Sequence, residues 1–160
     1  MIINWLEKFA ERLSLFGAWA SAFLLVYMVC HILVEIFFRT VLDRSTYSLD
    51  EFVGYAVASM TFLSLGHAFQ RKNLIRVNIL TNAVSGKVFQ AVEVICIFLT
   101  FSIIAFFARY VWRDLVRDFE RGTVSPTLTE TPIWIVKTVF FVGLSIFLIQ
   151  MLVSAISVIF

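Results

Sequence analysis

LSLFGAWASAFLLVYMVCHILVEIFF, residues Leu13–Phe38, decides the class of this chain. Its single charged residue is Glu35, close to its end. Roughly 20 consecutive apolar residues carry a helix across the hydrocarbon core of a bilayer. A membrane strand would be about 10 residues long and would alternate apolar with polar. Over this length in lipid only a helix satisfies its own backbone. A cleaved signal peptide has an apolar region of about 7–15 residues and a small-residue cleavage site. This stretch instead continues through Phe37 and Phe38 into Arg39, so it reads as a retained first helix.

Three more runs of the same kind follow, Phe52–Phe69, Val88–Val111 and Ile133–Phe160. Hydrophobic residues make up 61% of the 160, and Phe alone occurs 18 times, whereas soluble domains are about 45–50% apolar. With 13 basic and 11 acidic side chains, charge is near balance and nothing points to nucleic acid. The connections are shorter than the roughly 50 residues a soluble domain needs. The expectation is an all-α integral membrane protein, one domain over residues 1–160 in a lipid bilayer. It has four transmembrane helices, at about 13–38, 52–69, 88–111 and 133–160, joined by short interfacial segments, and the third carries a charged extension to about 121.

Orientation rests on Lys and Arg in the connections. Residues 70–87 hold Arg71, Lys72, Arg76 and Lys87 with no Asp or Glu. The connections 39–51 and 112–132 mix both signs. Basic residues divide almost evenly between the two sides, and the acid-free 70–87 segment tips the balance toward both termini inside. Trp112 and Trp134 then mark one outer boundary, since the indole ring favours the headgroup layer. The second run is rich in small residues, among them Gly54, Ala58 and Gly66, which let helix backbones approach in lipid. It is expected at the bundle centre or against a partner. The fourth run, rich in Phe, Ile, Val and Leu, is expected to face lipid.

Few side chains offer chemistry. Cys30 and Cys96 lie in apolar runs and read as small hydrophobes. His31 and His67 could bind a haem only at similar depth, but their places in the first and second helices put them roughly 20 Å or more apart. Glu35 and Glu93 lie near opposite boundaries, and Glu35 is one helical turn from Arg39, a pairing distance. Arg109, Arg113, Arg117 and Arg121 recur every four residues, with Asp114 and Asp118 between them. This makes one charged stripe if the third helix continues beyond the membrane. The plain reading is a solvated helix end; the functional reading is a docking surface for an outer soluble partner. FQRKNLIRVNIL, residues 69–80, suits a short interfacial anchor. Pro132 fits the start of the fourth helix, and Gly122 can end the third. No nucleophile with a base, phosphate loop or metal-ligand cluster is evident, so neither catalytic nor metal residues are assigned.

Several motifs in order carry a resemblance. Leu49-Asp50-Glu51 opens the second helix and Gly66 lies near its end. Asn73-Leu74-Ile75-Arg76-Val77-Asn78 follows in the basic connection. RGTVSPTLTETPIW spans Arg121–Trp134, and Gly143 sits in the fourth helix. From about residue 35 onward the chain resembles the small membrane subunit of a tripartite ATP-independent periplasmic (TRAP) transporter. Where that family often has Trp-Ser-Glu-Glu, this chain has Ser48-Leu49-Asp50-Glu51. The resemblance implies a scaffold role in the bacterial inner membrane, in a sodium-coupled importer of an organic acid-like solute. A large membrane subunit holds the sodium and substrate sites, and a periplasmic binding protein delivers the solute. The small subunit needs no cofactor and is not an enzyme.

On that reading the partner interface draws on Asp50, Glu51, Gly54, Ala58 and Gly66 of the second helix. Asp50 and Glu51 pair with basic groups or cap that helix, Arg71, Lys72 and Arg76 hold the inner side, and Arg113, Arg117 and Arg121 face the binding protein. Two competing functions are a small autonomous exporter using a membrane carboxylate and a haem- or quinone-binding anchor subunit.

Overall fold

Each apolar run nucleates a helix, and charged or turn-forming residues set where it stops. The computed structural model describes residues 2–46, 48–71 and 87–159. They form α1 (Ile2–Leu42), α2 (Leu49–Gln70), α3 (Lys87–Arg121) and α4 (Ile133–Ile159). All four are long and apolar enough to cross a membrane. Lys72, Arg76 and the stretch after Arg71 that reads as an interfacial anchor lie outside the described residues, as does the Glu93 side chain.

α1 ends where Asp43 turns left-handed, at φ 51°. α2 begins after Ser48 with Asp50 and Glu51 in its first turn, where carboxylates meet the positive end of the helix dipole. Gly122, at φ 60°, closes α3. Its N–H bonds the Phe119 carbonyl at 3.3 Å, and the Thr123 N–H bonds that of Asp118 at 3.0 Å. This pair of bonds satisfies orphan carbonyls at the helix end and suits a residue without Cβ. The chain then folds back on itself. Val124 bridges Pro132, the Ser125 N–H bonds Thr131 O at 2.9 Å, and the Ile133 N–H bonds Thr123 O at 3.2 Å.

The helices pack closely because glycines sit at the crossings. A Cβ on Gly143 would lie 2.6 Å from the Phe62 backbone carbon, one on Gly17 2.6 Å from the Leu63 carbonyl oxygen, and one on Gly66 2.9 Å from Ile146 Cγ2. Ser21 Oγ lies 3.0 Å from the Met60 carbonyl, reaching from α1 to α2. These contacts make α1 antiparallel to α2, and α2 parallel to α4. α3 runs antiparallel to α4, as Trp112–Phe141 and Phe119–Trp134 ring contacts require. The ends carrying the 43–48 and 122–132 connections coincide and are called the loop end below.

The fourth helix is not the lipid-facing element expected of it. α4 packs on each of α1, α2 and α3, and 39% of its membrane-length window is buried, against 22% in α2, 11% in α3 and 6% in α1. Leu144, Ile146, Phe147 and Met151 belong to the core. The reason is that apolarity does not separate core from lipid face in a membrane, where both surroundings are hydrocarbon. Gly143, not the Phe and Ile around it, marks the contact. α2 and α4 are thus the inner pair, and α1 and α3 flank them.

Candidate functional site

At the loop end two carboxylates are fully engaged. Glu35, on the last turns of α1, is only 2% exposed. Oε1 accepts from Arg39 Nε at 2.9 Å and from Ser45 Oγ at 2.6 Å. Oε2 accepts from the Thr46 N–H at 3.1 Å and also from the Thr46 hydroxyl. Glu35 therefore pins the 43–48 connection to α1, on top of the pairing with Arg39 that their spacing suggested. Glu51, from the first turn of α2, accepts from Tyr55 Oη at 2.8 Å and from the hydroxyls of Thr127 and Thr129. Its described partners are hydroxyls and not basic groups, while its place in the first turn of α2 suits the helix dipole as expected. The Leu49-Asp50-Glu51 segment and the 121–134 segment, far apart in sequence, thereby meet. Asp50 lines an open cleft of about 520 Å³ with Arg39, Asp43, Arg44, Ser45 and Leu49.

The charged stripe of α3 divides in two. Lys137 Nζ, from α4, donates to Asp118 Oδ2 at 2.5 Å and to Asp114 Oδ2 at 3.2 Å. Arg117 Nη2 donates to the other Asp114 oxygen at 2.5 Å. Arg109, Arg113 and Arg121 are exposed. Lys137 escaped the sequence reading because it lies inside an apolar run. It is the only charged residue of Ile133–Phe160, and an ionisable group in a membrane segment calls for a named partner. The interleaved Asp114 and Asp118 were the candidates.

The ring contacts also correct the boundary drawn through Trp112 and Trp134. Trp134 packs edge-on against Phe119, centroids 5.4 Å apart, whereas Trp112 packs on Phe141 at 4.9 Å. Phe141 is seven residues beyond Trp134, so the two indoles differ in depth by about 10 Å. The Arg-rich part of α3 lies beside the apolar first half of α4 instead of projecting past it.

The remaining candidates are scattered. An added Cβ on Gly54 meets nothing within 4 Å, while Gly66 is used against Ile146 within the chain. Ala58 is half-buried, and Arg71 is exposed at the end of α2. His31 packs between Tyr27, 5.7 Å away, and Phe52 at the start of α2, 6.1 Å away. His67 is 15 residues further along α2, about 22 Å deeper, so the two imidazoles cannot clamp one haem. Among the described residues no three His, Cys, Asp or Glu gather into a set that could hold a metal ion.

No curated protein and no solved structure matches the chain. A family model does, that of the tripartite ATP-independent periplasmic transporters, DctQ component, over residues 28–160. The match begins in the second half of α1 and takes in both loop-end carboxylates, the Lys137 clamp and all of α4. This is a multi-pass membrane protein and a transporter component, and it belongs to the DctQ family of small TRAP transporter subunits.

Proposed function

We propose that this chain is the scaffold subunit of a sodium-coupled importer of an organic acid-like solute in the bacterial inner membrane, with both termini cytoplasmic. The family match over residues 28–160 carries the reading. Sodium and solute bind on a large membrane subunit, against which this chain packs. A periplasmic protein brings the solute to the loop end. Arg113, Arg117 and Arg121 help to dock it, while Asp50, Glu51, Gly54, Ala58, Gly66 and, on the opposite side, Arg71, Lys72 and Arg76 are the remaining contact residues. The engaged carboxylates support a static role, since each holds two segments of this chain together.

The test is reconstitution in vesicles. Uptake should require this chain, the large subunit, the binding protein and a sodium gradient together. Uptake by this chain alone, or undiminished uptake without it, overturns the reading. Charge reversal of Arg117 with Arg121 should lower uptake at limiting binding protein and spare it at saturation. Equal rates at both concentrations would remove the docking role and leave the scaffold role standing.

A further inference from the structure

Arg109 is a cation on a membrane-length helix, with no partner among the described residues. Two independent registers give its depth. Phe107 stacks on Phe62, centroids 6.3 Å apart, and Phe62 is 13 residues into α2, about 20 Å from its start. Arg109 is two residues nearer the loop end, so it lies about 17 Å below that start. By the second route, Trp112 packs on Phe141, eight residues or about 12 Å into α4, and Arg109 is one turn deeper, again about 17 Å. α2 has 22 residues, about 33 Å, close to the roughly 30 Å of the hydrocarbon core. Arg109 is therefore level with the middle of α2, a helix long and apolar enough to cross a membrane.

Its surroundings are apolar. Arg109 lines an open groove of about 360 Å³ between α3 and α4, with Ala108, Trp112, Phe141, Ser145 and Leu148. The Ser145 hydroxyl is occupied by the Phe141 carbonyl at 2.8 Å. Among the described residues Arg109 makes no hydrogen bond or ion pair. The acids that could serve it are taken elsewhere: Asp118 by Lys137, and Asp114 by Lys137 and Arg117. Glu35 and Glu51 are held at the loop end. Lys137 shows how the same flank treats a cation that it satisfies internally.

A charge left in hydrocarbon is costly, and such residues face protein or a polar cavity and pair. The geometry points to the α3/α4 groove as the face that receives the large membrane subunit, through a transmembrane helix whose Asp or Glu pairs with Arg109. This assignment rests on the proposed scaffold function. It selects α3/α4 over the other flank: α1 also exposes Phe16, Trp19 and Phe23, but acyl chains can satisfy such an apolar surface, and the described residues around those rings carry no charge.

The test uses this chain co-expressed with its large subunit and purified in lipid nanodiscs. A photo-crosslinking residue at Leu148 should capture the large subunit, and one at Phe23 should capture phospholipid. Arg109→Leu should lower recovery of the complex by at least about tenfold without lowering the thermal stability of the isolated chain, and Arg109→Lys should restore part of it. Capture of the large subunit from Phe23 but not Leu148 overturns the assignment and spares the scaffold function. Capture of lipid alone, or of a second copy of this chain, at Leu148 overturns it as well. A chain that never co-purifies with the large subunit overturns the scaffold function and this face with it.

Discussion

The α2/α4 seam and the α3/α4 flank are both helix contacts within one bundle, yet they are built from opposite materials. At the seam, glycines bring backbones together and the surrounding side chains are aliphatic or aromatic. At the flank, rings and ions hold the helices: Trp112 on Phe141, Phe119 on Trp134, and Lys137 between two aspartates. The seam leaves no room for anything else, whereas the flank leaves an open groove with an arginine on it. Shape alone closes an interface between helices of one chain. A contact with a second protein can also draw on a feature that hydrocarbon cannot satisfy.

Substitutions can separate the two. The largest effect is expected at the seam. Gly143→Ala would place a methyl group 2.6 Å from the Phe62 backbone, so α2 and α4 must part. Overpacking of this kind costs about 3 kcal/mol, read as a lower unfolding midpoint of the isolated chain in lipid. Normal stability would mean that the seam is looser than drawn. Next comes Lys137→Ala at the flank, which strands the buried Asp118 while Asp114 keeps Arg117, and should cost about 2 kcal/mol. Adding Asp118→Asn to Lys137→Met should recover most of that loss, because a pair replaced whole leaves no orphan charge and Asp114 stays paired with Arg117. Failure to recover would assign the loss to packing of the lysine stem.

Glu35→Gln probes the loop end, which neither contact secures. The change removes the charge paired with Arg39 and turns one acceptor into a donor facing Ser45 or Thr46. Hydrogen exchange at the Thr46 amide should speed up by about tenfold, with little change at Met60 in α2. Smallest of all is Gly54→Ala. Nothing lies near the added methyl, and alanine favours the helix over glycine by about 0.5 kcal/mol, so the isolated chain should be slightly more stable. Complex formation with the large subunit should nonetheless fall, since Gly54 is among the proposed contact residues; unchanged complex formation would remove this part of α2 from the outer contact and leave that contact to the flank.

Much of the fold was legible. Run length against bilayer thickness yields four helices, and a glycine after Arg121 yields a helix end. The order of helices in the bundle was not legible, because a lipid-facing Phe and a core Phe look alike. Gly143, Gly17 and Lys137 were the usable signals, each an exception within an apolar run. The loop-end carboxylates could be seen as pairing groups, but their hydroxyl partners could not. Ser45 and Thr46 lie 10 and 11 residues from Glu35, and Thr127 lies 76 residues from Glu51. Serines and threonines in a connection carry no mark of which acid they serve.

Sequence by itself determined that this chain is a membrane bundle and that it belongs with the small subunits of TRAP transporters, because hydrophobic length and short ordered motifs are local properties. Only the tertiary structure decided which charges are spent and which are left over. Depth and pairing depend on the register between helices, and that register is set by side-chain contacts such as Phe62 with Phe107 and Trp112 with Phe141, which no single stretch of sequence contains.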